Sequence, residues 1–138
     1  MALIYRAHFA FSKNPIMNSK GMNTSPIYGF LNTLIELIRK EEPTHLAVVF
    51  DTKAPTFRSE IFVDYKANRE RQPEDIQISI PFIKKILQLL SIKILEKDGF
   101  EADDIIGSLA TQLASDADTV IYMMTPDKDF AQLVSKNI

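Results

Sequence analysis

Apolar residues in this chain follow two kinds of spacing, and these predict helices and strands in turn. Spacing typical of one helix face occurs in four segments, residues 27–38, 76–90, 105–113 and 130–134. Short unbroken apolar runs predict three strands, at residues 45–50, 92–95 and 119–124. The first of these strands is expected to be buried on both faces. Strands that alternate with helices favour an α/β fold in which a parallel sheet lies between layers of helices.

Proline and glycine positions refine the element boundaries. Pro26 suits the first turn of the first predicted helix. Pro81 lies inside the second predicted helix and is expected to kink or restart it. The Asp98-Gly99 pair predicts a turn after the second strand.

Bulk composition indicates one globular domain. The chain has 138 residues, of which 46% are hydrophobic and 25% charged, and its net charge is −2. This charge gives no global attraction to nucleic acid, so binding of DNA or RNA would need a local basic patch. The absence of cysteine excludes disulfides and thiolate zinc sites and favours a reducing compartment.

The apolar opening of the chain does not resemble a signal peptide. Arg6 and His8 interrupt it, and neither a basic start nor a small-residue cleavage site is present. No apolar stretch approaches the roughly 20 residues of a membrane span. We therefore expect a cytoplasmic protein without a membrane partner.

Acidic residues follow each of the three predicted strands. They are Asp51 after the first, Glu101, Asp103 and Asp104 after the second with Asp98 nearby, and Asp127 and Asp129 after the third. The carboxyl ends of parallel strands meet at one edge of a sheet, where open α/β folds build their sites. Crowded carboxylates repel one another unless a cation is bound, so the pattern predicts hard divalent metal ions.

Each acidic segment also has a simpler interpretation. Acids in the first turn of a helix favour its dipole, which would account for Asp103 and Asp104. Thr125 could cap a helix in which Pro126 takes the first position and Asp127 and Asp129 complement the dipole. Asp51 could be a turn or cap residue. Glu101 and Asp104 nevertheless share one helix face, with Asp103 about 100° away. The simpler interpretation would have to hold independently at all three acidic segments. We therefore favour the metal site.

Residues 52–72 lack a clear apolar period and predict a mobile, partly helical excursion. Basic and aromatic residues alternate in it: Lys53, Phe57, Arg58, Phe62, Tyr65, Lys66, Arg69 and Arg71. Such a segment could be a solvated amphipathic helix. Beside an acidic pocket, its Lys and Arg residues would offer phosphate contacts, and Phe57 or Tyr65 would offer a stacking face for an unpaired base.

Five collinear segments carry a specific family resemblance over essentially the whole chain. They are LIYRAHFAF, PTHLAVVFD, TFRSEIFVDYKANR, GFEADDIIGSLA and TPDKDFAQLVSKNI. The sequence resembles the 5′-nuclease (5′-3′ exonuclease, flap endonuclease-like) domain at the N-terminus of bacterial DNA polymerase I. The resemblance implies an α/β, PIN-like three-layer domain, with a central mainly parallel sheet flanked by helices.

The resemblance also implies an activity and its partners. The expected function is binding of branched or 5′-flapped DNA and hydrolysis of phosphodiester bonds at the 5′ end, in DNA replication and repair. The expected cofactor is Mg²⁺ or Mn²⁺ in a two-metal site, with ions about 3.5 to 4 Å apart. A polymerase domain in the same native chain is a further expectation.

Site residues carry over position by position. The residues that match acidic metal positions are Asp51, Glu101, Asp103, Asp104, Asp127 and Asp129. Those expected to neutralise charge at the scissile phosphate are Arg6, Lys66 and Arg69, with Tyr65 nearby. The expected DNA-binding set is Arg6, Phe57, Arg58, Tyr65, Lys66, Arg69 and Arg71.

Two departures from the family pattern raise a second hypothesis. The family begins with a strand ending in Asp-Gly before the position of Met1, and it continues past Ile138 to a further Asp pair and a helix-hairpin-helix element. We therefore expect residues 1–138 to form a partial domain that lacks the first strand and the C-terminal part. The alternative to an active nuclease is a catalytically silent DNA-binding or structural module.

Two further expectations follow. The loss of an interior strand would expose hydrogen-bonding groups of its neighbours, so self-association of the chain is expected unless the sheet closes differently. A receiver-like phosphoacceptor domain would also place acids at strand ends around Mg²⁺. It is disfavoured because it has no place for the basic excursion at residues 52–72.

Overall fold

The computed structural model describes residues 2–62, 64–65 and 71–138. The helices are α1 Ala2–Ala10, α2 Ser25–Glu41, α3 Phe57–Ile61, α4 Glu74–Leu89 and α5 Ala102–Leu113, followed by a 3₁₀ helix, Lys128–Leu133. The strands are β1 Ala47–Val49 and β2 Lys93–Leu95. Among the helices formed by these residues, none has the length and apolarity needed to cross a bilayer.

The two strands are neighbours in a small parallel sheet flanked by helices. Just beyond β1, the N–H of Phe50 donates to the carbonyl of Leu95 at 2.9 Å. The connection between the strands contains α3 and α4, as a parallel crossover requires. The predicted PIN-like α/β class is confirmed, and two of the three predicted strands form at nearly their predicted positions. Both are half-buried with an exposed first residue, so burial of the first strand on both faces was wrong.

The third predicted strand, residues 119–124, was wrong. Exposure alternates along this run as it does in a strand, with Val120, Tyr122 and Met124 more than half exposed. The described residues nevertheless give it no ladder with another strand. Its backbone is held instead by Asn137, whose carbonyl accepts the N–H of Ile121 at 2.8 Å and whose Nδ2 donates to the carbonyl of Thr119 at 3.0 Å. The same Nδ2 also donates to the carbonyls of Ala114 and Asp116, which precede this run. A strand-like side-chain pattern without a partner strand does not form a sheet.

The chain divides into two compact units, and the division falls within the strands, after Val48 in β1 and after Ile94 in β2. The first unit contains α1, α2 and α4. The second contains α3, α5 and the 3₁₀ helix. The acidic residues of interest all belong to the second unit, so each unit is described separately.

Three helices build the core of the first unit. Its buried apolar residues are Ile4 and Ala7 of α1, Phe30 and Leu34 of α2, and Ile76, Ile83 and Leu87 of α4. The apolar pattern did not predict α1, because polar residues interrupt it. α4 was predicted, and it continues through Pro81 as one helix rather than restarting.

The second unit has a smaller described core. Its buried apolar residues are Phe50, Ala102, Ala110 and Phe130. The predicted turn after β2 is confirmed, since Gly99 has a φ of 83°, a conformation that favours glycine. The last predicted helix is a 3₁₀ helix rather than an α-helix.

Close packing of α1 on α2 generates a stability prediction. A Cβ at Gly29 would lie 2.6 Å from the Cβ of Ala7, closer than two carbon atoms can approach. We expect Gly29→Ala to destabilise the fold by roughly 1 to 3 kcal/mol, because the helices must move apart. The free energy of unfolding in urea measures the effect.

The matched control is Gly107→Ala in α5, where an added Cβ would make an ordinary contact 3.4 Å from Leu133. This change should be neutral or stabilising by up to about 1 kcal/mol, since alanine favours a helix interior over glycine. Equal stability of the Gly29 variant and the parent would contradict the packing account.

Candidate functional site

The N-terminus of α5 collects acidic side chains from distant parts of the chain. Asp51, two residues past the end of β1, accepts the backbone N–H of Ala102 through Oδ1 at 2.9 Å. Ala102 is the first residue of α5 and is buried. A carboxylate at this position is stabilised by the unpaired N–H groups and the positive end of the helix dipole. The contact therefore joins the end of β1 to the start of α5.

Two further carboxylates lie in the same turn. Glu101 is the N-cap of α5, and its backbone N–H donates to Oδ2 of Asp104 at 2.9 Å, as in a capping box. The side chain of Glu101 accepts the hydroxyl of Tyr65 through Oε2 at 3.2 Å. Both carboxylates are largely shielded from solvent, with side-chain exposures of 13% for Glu101 and 20% for Asp104.

Arg58 of α3 places a positive charge against this acidic pair. Its Nη1 and Nη2 each donate to one carboxylate oxygen of Asp104, both at 2.7 Å. Nη1 also lies 3.8 Å from Oε2 of Glu101. Paired contacts of this kind are among the strongest hydrogen bonds in proteins. The hydrogen bond to Asp104 raises the pKa of Arg58 above its ordinary value, so the guanidinium stays charged.

Aromatic rings border the same cluster. The Arg58 guanidinium carbon lies 4.5 Å from the centre of the Phe57 ring, and the rings of Phe57 and Phe100 are 5.9 Å apart. The Lys97 ammonium lies 4.8 Å from the centre of the Phe100 ring. Phe57 and Phe100 are each 39% exposed. Sequence reasoning missed Phe100 and Lys97, although both lie within four residues of Glu101.

The remaining predicted metal ligands, Asp103, Asp127 and Asp129, lie on the exposed surface of the second unit. Asp127 accepts the backbone N–H of Asp129 through Oδ1 at 3.0 Å, so Asp127 is the N-cap of the 3₁₀ helix, a role that the simpler interpretation gave to Thr125. Within the described residues, no three His, Asp or Glu side chains converge in the manner of metal ligands.

The other predicted DNA contacts divide between the two units. Tyr65, Phe57 and Arg58 lie in the second unit beside the acidic residues. Arg6 is exposed on α1, and Arg71 is exposed shortly before α4; both belong to the first unit. Lys66 and Arg69 lie outside the described residues, so their predicted roles stay predictions.

The donor chemistry at the start of α5 suits a hard divalent cation. Asp51, Glu101 and Asp104 offer carboxylate oxygens, the ligands that Mg²⁺ and Mn²⁺ prefer. The guanidinium beside Asp104 and Glu101 shows that this pair already accommodates a cation. The acids therefore fit a metal by their chemistry, while Arg58 holds two of them in the described conformation.

A family comparison covers the whole chain. Residues 1–138 match the family described as the 5′-3′ exonuclease, N-terminal resolvase-like domain. A 5′-3′ exonuclease of Aquifex aeolicus is 45% identical over 137 residues, which cover 99% of this chain and 46% of that protein. DNA polymerase I of Caldicellulosiruptor bescii is 36% identical over 137 residues, covering 99% of this chain and 16% of the polymerase.

Solved structures support the fold. A T5 5′-exonuclease with bound zinc ions superposes with a TM-score of 0.69 at 20% identity, over 99% of this chain and half (50%) of that one. The T5 D15 protein crystallised with metal ions gives a TM-score of 0.66 at 18% identity, over 99% of this chain and 49% of its own length. The chain thus spans half or less of the relatives that it matches.

The Arg58–Asp104 pair generates a second stability prediction. We expect a double-mutant cycle with Arg58→Ala and Asp104→Ala to give a coupling free energy of about 1 to 2 kcal/mol, because both hydrogen bonds are short and partly shielded from water. Urea unfolding of the four proteins measures this coupling.

A second cycle on Lys40 and Glu41 serves as the control. These side chains form an ion pair at 3.0 Å in which Lys40 is 82% exposed, so its coupling should stay under about 0.5 kcal/mol. Equal coupling in the two cycles would show that the Arg58 contact is an ordinary surface ion pair.

Proposed function

The chain belongs to the family of 5′-3′ exonuclease N-terminal, resolvase-like domains. We propose that it is a domain of a divalent-metal-dependent nuclease. The proposed reaction is hydrolysis of a phosphodiester bond near the 5′ end of DNA. The proposed substrate is branched DNA with a 5′ flap. The longer relatives include DNA polymerase I proteins, so we also propose that a polymerase domain shares the native chain.

One observation carries the proposal beyond family membership. Asp51, Glu101 and Asp104 come from two segments of the chain and are held at the same helix start by hydrogen bonds. This arrangement concentrates negative charge beside a basic and aromatic segment. Such a juxtaposition suits metal-assisted chemistry on a phosphate, because the metal needs carboxylates and the DNA needs cations.

We propose that Asp51, Glu101 and Asp104 hold a divalent ion, with Asp103, Asp127 and Asp129 contributing directly or through water. When bound, the ions supply an activated water and neutralise charge on the phosphate. Many acids can act through ordered water around Mg²⁺, since this ion keeps several of its waters. Mg²⁺ and Mn²⁺ both suit these ligands.

The basic and aromatic residues of the chain have the complementary proposed role. Arg6, Lys66 and Arg69 would neutralise negative charge that develops at the scissile phosphate. Arg58 and Arg71 would contact other phosphates. Exposed rings, Phe57 foremost, would stack on an unpaired base of the 5′ strand.

A role in DNA replication and repair follows from the same proposal, since removal of 5′ flaps belongs to both processes. Bacterial DNA lies in the cytoplasm, so we propose a cytoplasmic location on the basis of this substrate.

The second candidate is a catalytically silent DNA-binding or structural module. The observation that favours it is the ion pair of Arg58 with Asp104, together with the lack of three converging metal ligands in the described residues. This candidate and the nuclease share the same DNA contacts. They differ in whether a divalent ion leads to cleavage.

A cleavage assay on the full native protein tests the nuclease. With a 5′-flap DNA in Mg²⁺ or Mn²⁺, we expect single cuts near the flap base. Asp104→Asn should reduce the cleavage rate at least about 100-fold, because the variant removes a charged ligand but keeps an oxygen acceptor for Glu101. Its affinity for the same DNA in Ca²⁺, measured by gel shift, should change far less.

Asp118→Asn is the matched control, since Asp118 is an exposed acid of the same unit outside the proposed site. It should cut at the parental rate. DNA binding by the parent protein without cleavage in either metal would favour the silent module. Full activity of the Asp104 variant would place the metal elsewhere.

We further propose that the chain self-associates. Val120, Tyr122 and Met124 form an exposed apolar run with strand-like alternation, and the described sheet has two strands. Sedimentation velocity should therefore show a dimer at micromolar concentration. Replacing Val120 and Tyr122 with Lys should shift the protein to a monomer, because two charged side chains in this run would oppose its burial between two copies. A monomeric parent protein would contradict this proposal.

A further inference from the structure

The contact between Arg58 and Asp104 joins a proposed DNA-binding residue to a proposed metal-binding residue. It donates both Nη groups to Asp104 at 2.7 Å, and it covers the Phe57 ring at 4.5 Å. Arg58 was predicted to contact DNA phosphate, and Asp104 was predicted to bind metal. In the described conformation each of these two residues is the partner of the other.

The carboxylate oxygens that Arg58 holds are those that a divalent ion would need. Oδ1 of Asp104 accepts from Arg58, and Oδ2 accepts from both Arg58 and the N–H of Glu101. Nη1 also lies 3.8 Å from Glu101. A divalent cation bound to these oxygens would lie within a few ångströms of the guanidinium, and the two positive charges would repel each other. Binding of a metal ion here therefore requires the guanidinium to leave.

The side chain of Arg58 has room to leave while its helix stays in place. It is 31% exposed, so part of the side chain already reaches solvent. The start of α3 is held independently, since the backbone N–H of Phe57 donates to the carbonyl of Gly99 at 3.1 Å. A phosphate offers the same paired oxygen acceptors as a carboxylate, so a DNA phosphate can replace Asp104 as the partner.

We propose that Arg58 is an exchangeable counter-ion that couples metal binding to DNA binding. A divalent ion takes its place on Asp104 and Glu101, and the released guanidinium binds a phosphate of the DNA. This inference rests on the proposed function. Metal therefore raises the affinity for DNA, and by thermodynamic reciprocity DNA raises the affinity for metal.

Metal binding in the absence of DNA is the first test. We expect Arg58→Gln to bind Mn²⁺ about tenfold more tightly than the parent, measured by the electron paramagnetic resonance of free Mn²⁺, because the competing cation is gone. Arg58→Lys keeps the charge but cannot make the paired contact, so it should show an intermediate gain. It also serves if the Gln variant fails to fold.

Arg39→Gln is the matched control, since it removes an exposed arginine of α2 in the first unit. Its Mn²⁺ affinity should equal that of the parent. Unchanged Mn²⁺ affinity in both Arg58 variants would overturn the inference and leave Arg58 as a permanent structural contact. An affinity gain in Arg58→Gln with none in Arg58→Lys would still support the exchange, because the lysine ammonium would then compete with the metal as the guanidinium does.

The salt dependence of DNA binding is the second test. For single-stranded or duplex DNA, each phosphate contact adds roughly 0.7 to 0.9 to the slope of log affinity against log salt. The parent slope should be steeper by about that amount in Ca²⁺ than in EDTA, because Arg58 gains a phosphate. The Arg58→Gln slope should be the same in both. Equal slopes for the parent protein would overturn the exchange.

These outcomes separate the inference from the proposed function. A parent protein that cuts flap DNA, with unchanged Mn²⁺ affinity in the Arg58 variants, retains its function and loses the exchange. A parent protein that binds no Mn²⁺ loses both.

Discussion

Negative charge at the start of α5 persists because two kinds of group counter it. The first backbone N–H of the helix donates to Asp51, and the guanidinium of Arg58 binds Asp104 through both of its nitrogens. Without these partners the carboxylates would repel one another. The same contacts join Asp51, which follows β1, and Arg58 of α3 to one helix terminus. Each functional proposal for this chain depends on that cluster of charges.

Periodicity predicted the parts of the fold that bury one continuous face. The apolar positions of α2, α4 and α5 repeat at helical spacing, and buried residues such as Phe30, Leu34 and Ile83 lie on those of α2 and α4. α1 escaped prediction because Arg6 and His8 break its short pattern, although Ile4 and Ala7 are buried three residues apart. Residues 119–124 show the opposite failure. Their alternation is real, but a strand needs a partner, and a pattern within one segment does not supply it.

The acidic residues of the candidate site could be predicted from the sequence, but the ion pair between Arg58 and Asp104 could not. Acids after strand ends identified Asp51, Glu101 and Asp104, since parallel strands bring their carboxyl ends together. That Arg58 binds Asp104, rather than pointing to solvent, depends on where α3 packs, and nothing in its own segment specifies this. The simpler interpretation also held in part: Asp51 and Asp127 each accept a helix-terminal N–H. Capping and metal binding use the same carboxylates, so one role does not exclude the other.

Family membership and the contacts at the start of α5 therefore both support the proposed metal site. The match places the chain in the family of 5′-3′ exonuclease N-terminal, resolvase-like domains, and the contacts around Asp104 carry the proposal of how a metal ion would bind. A crystal structure with Mn²⁺, its ions located by anomalous scattering, tests this account most directly. It predicts an anomalous peak beside Asp104 and Glu101, with Arg58 turned away from both. An anomalous peak elsewhere, with Arg58 still bound to Asp104, would contradict it.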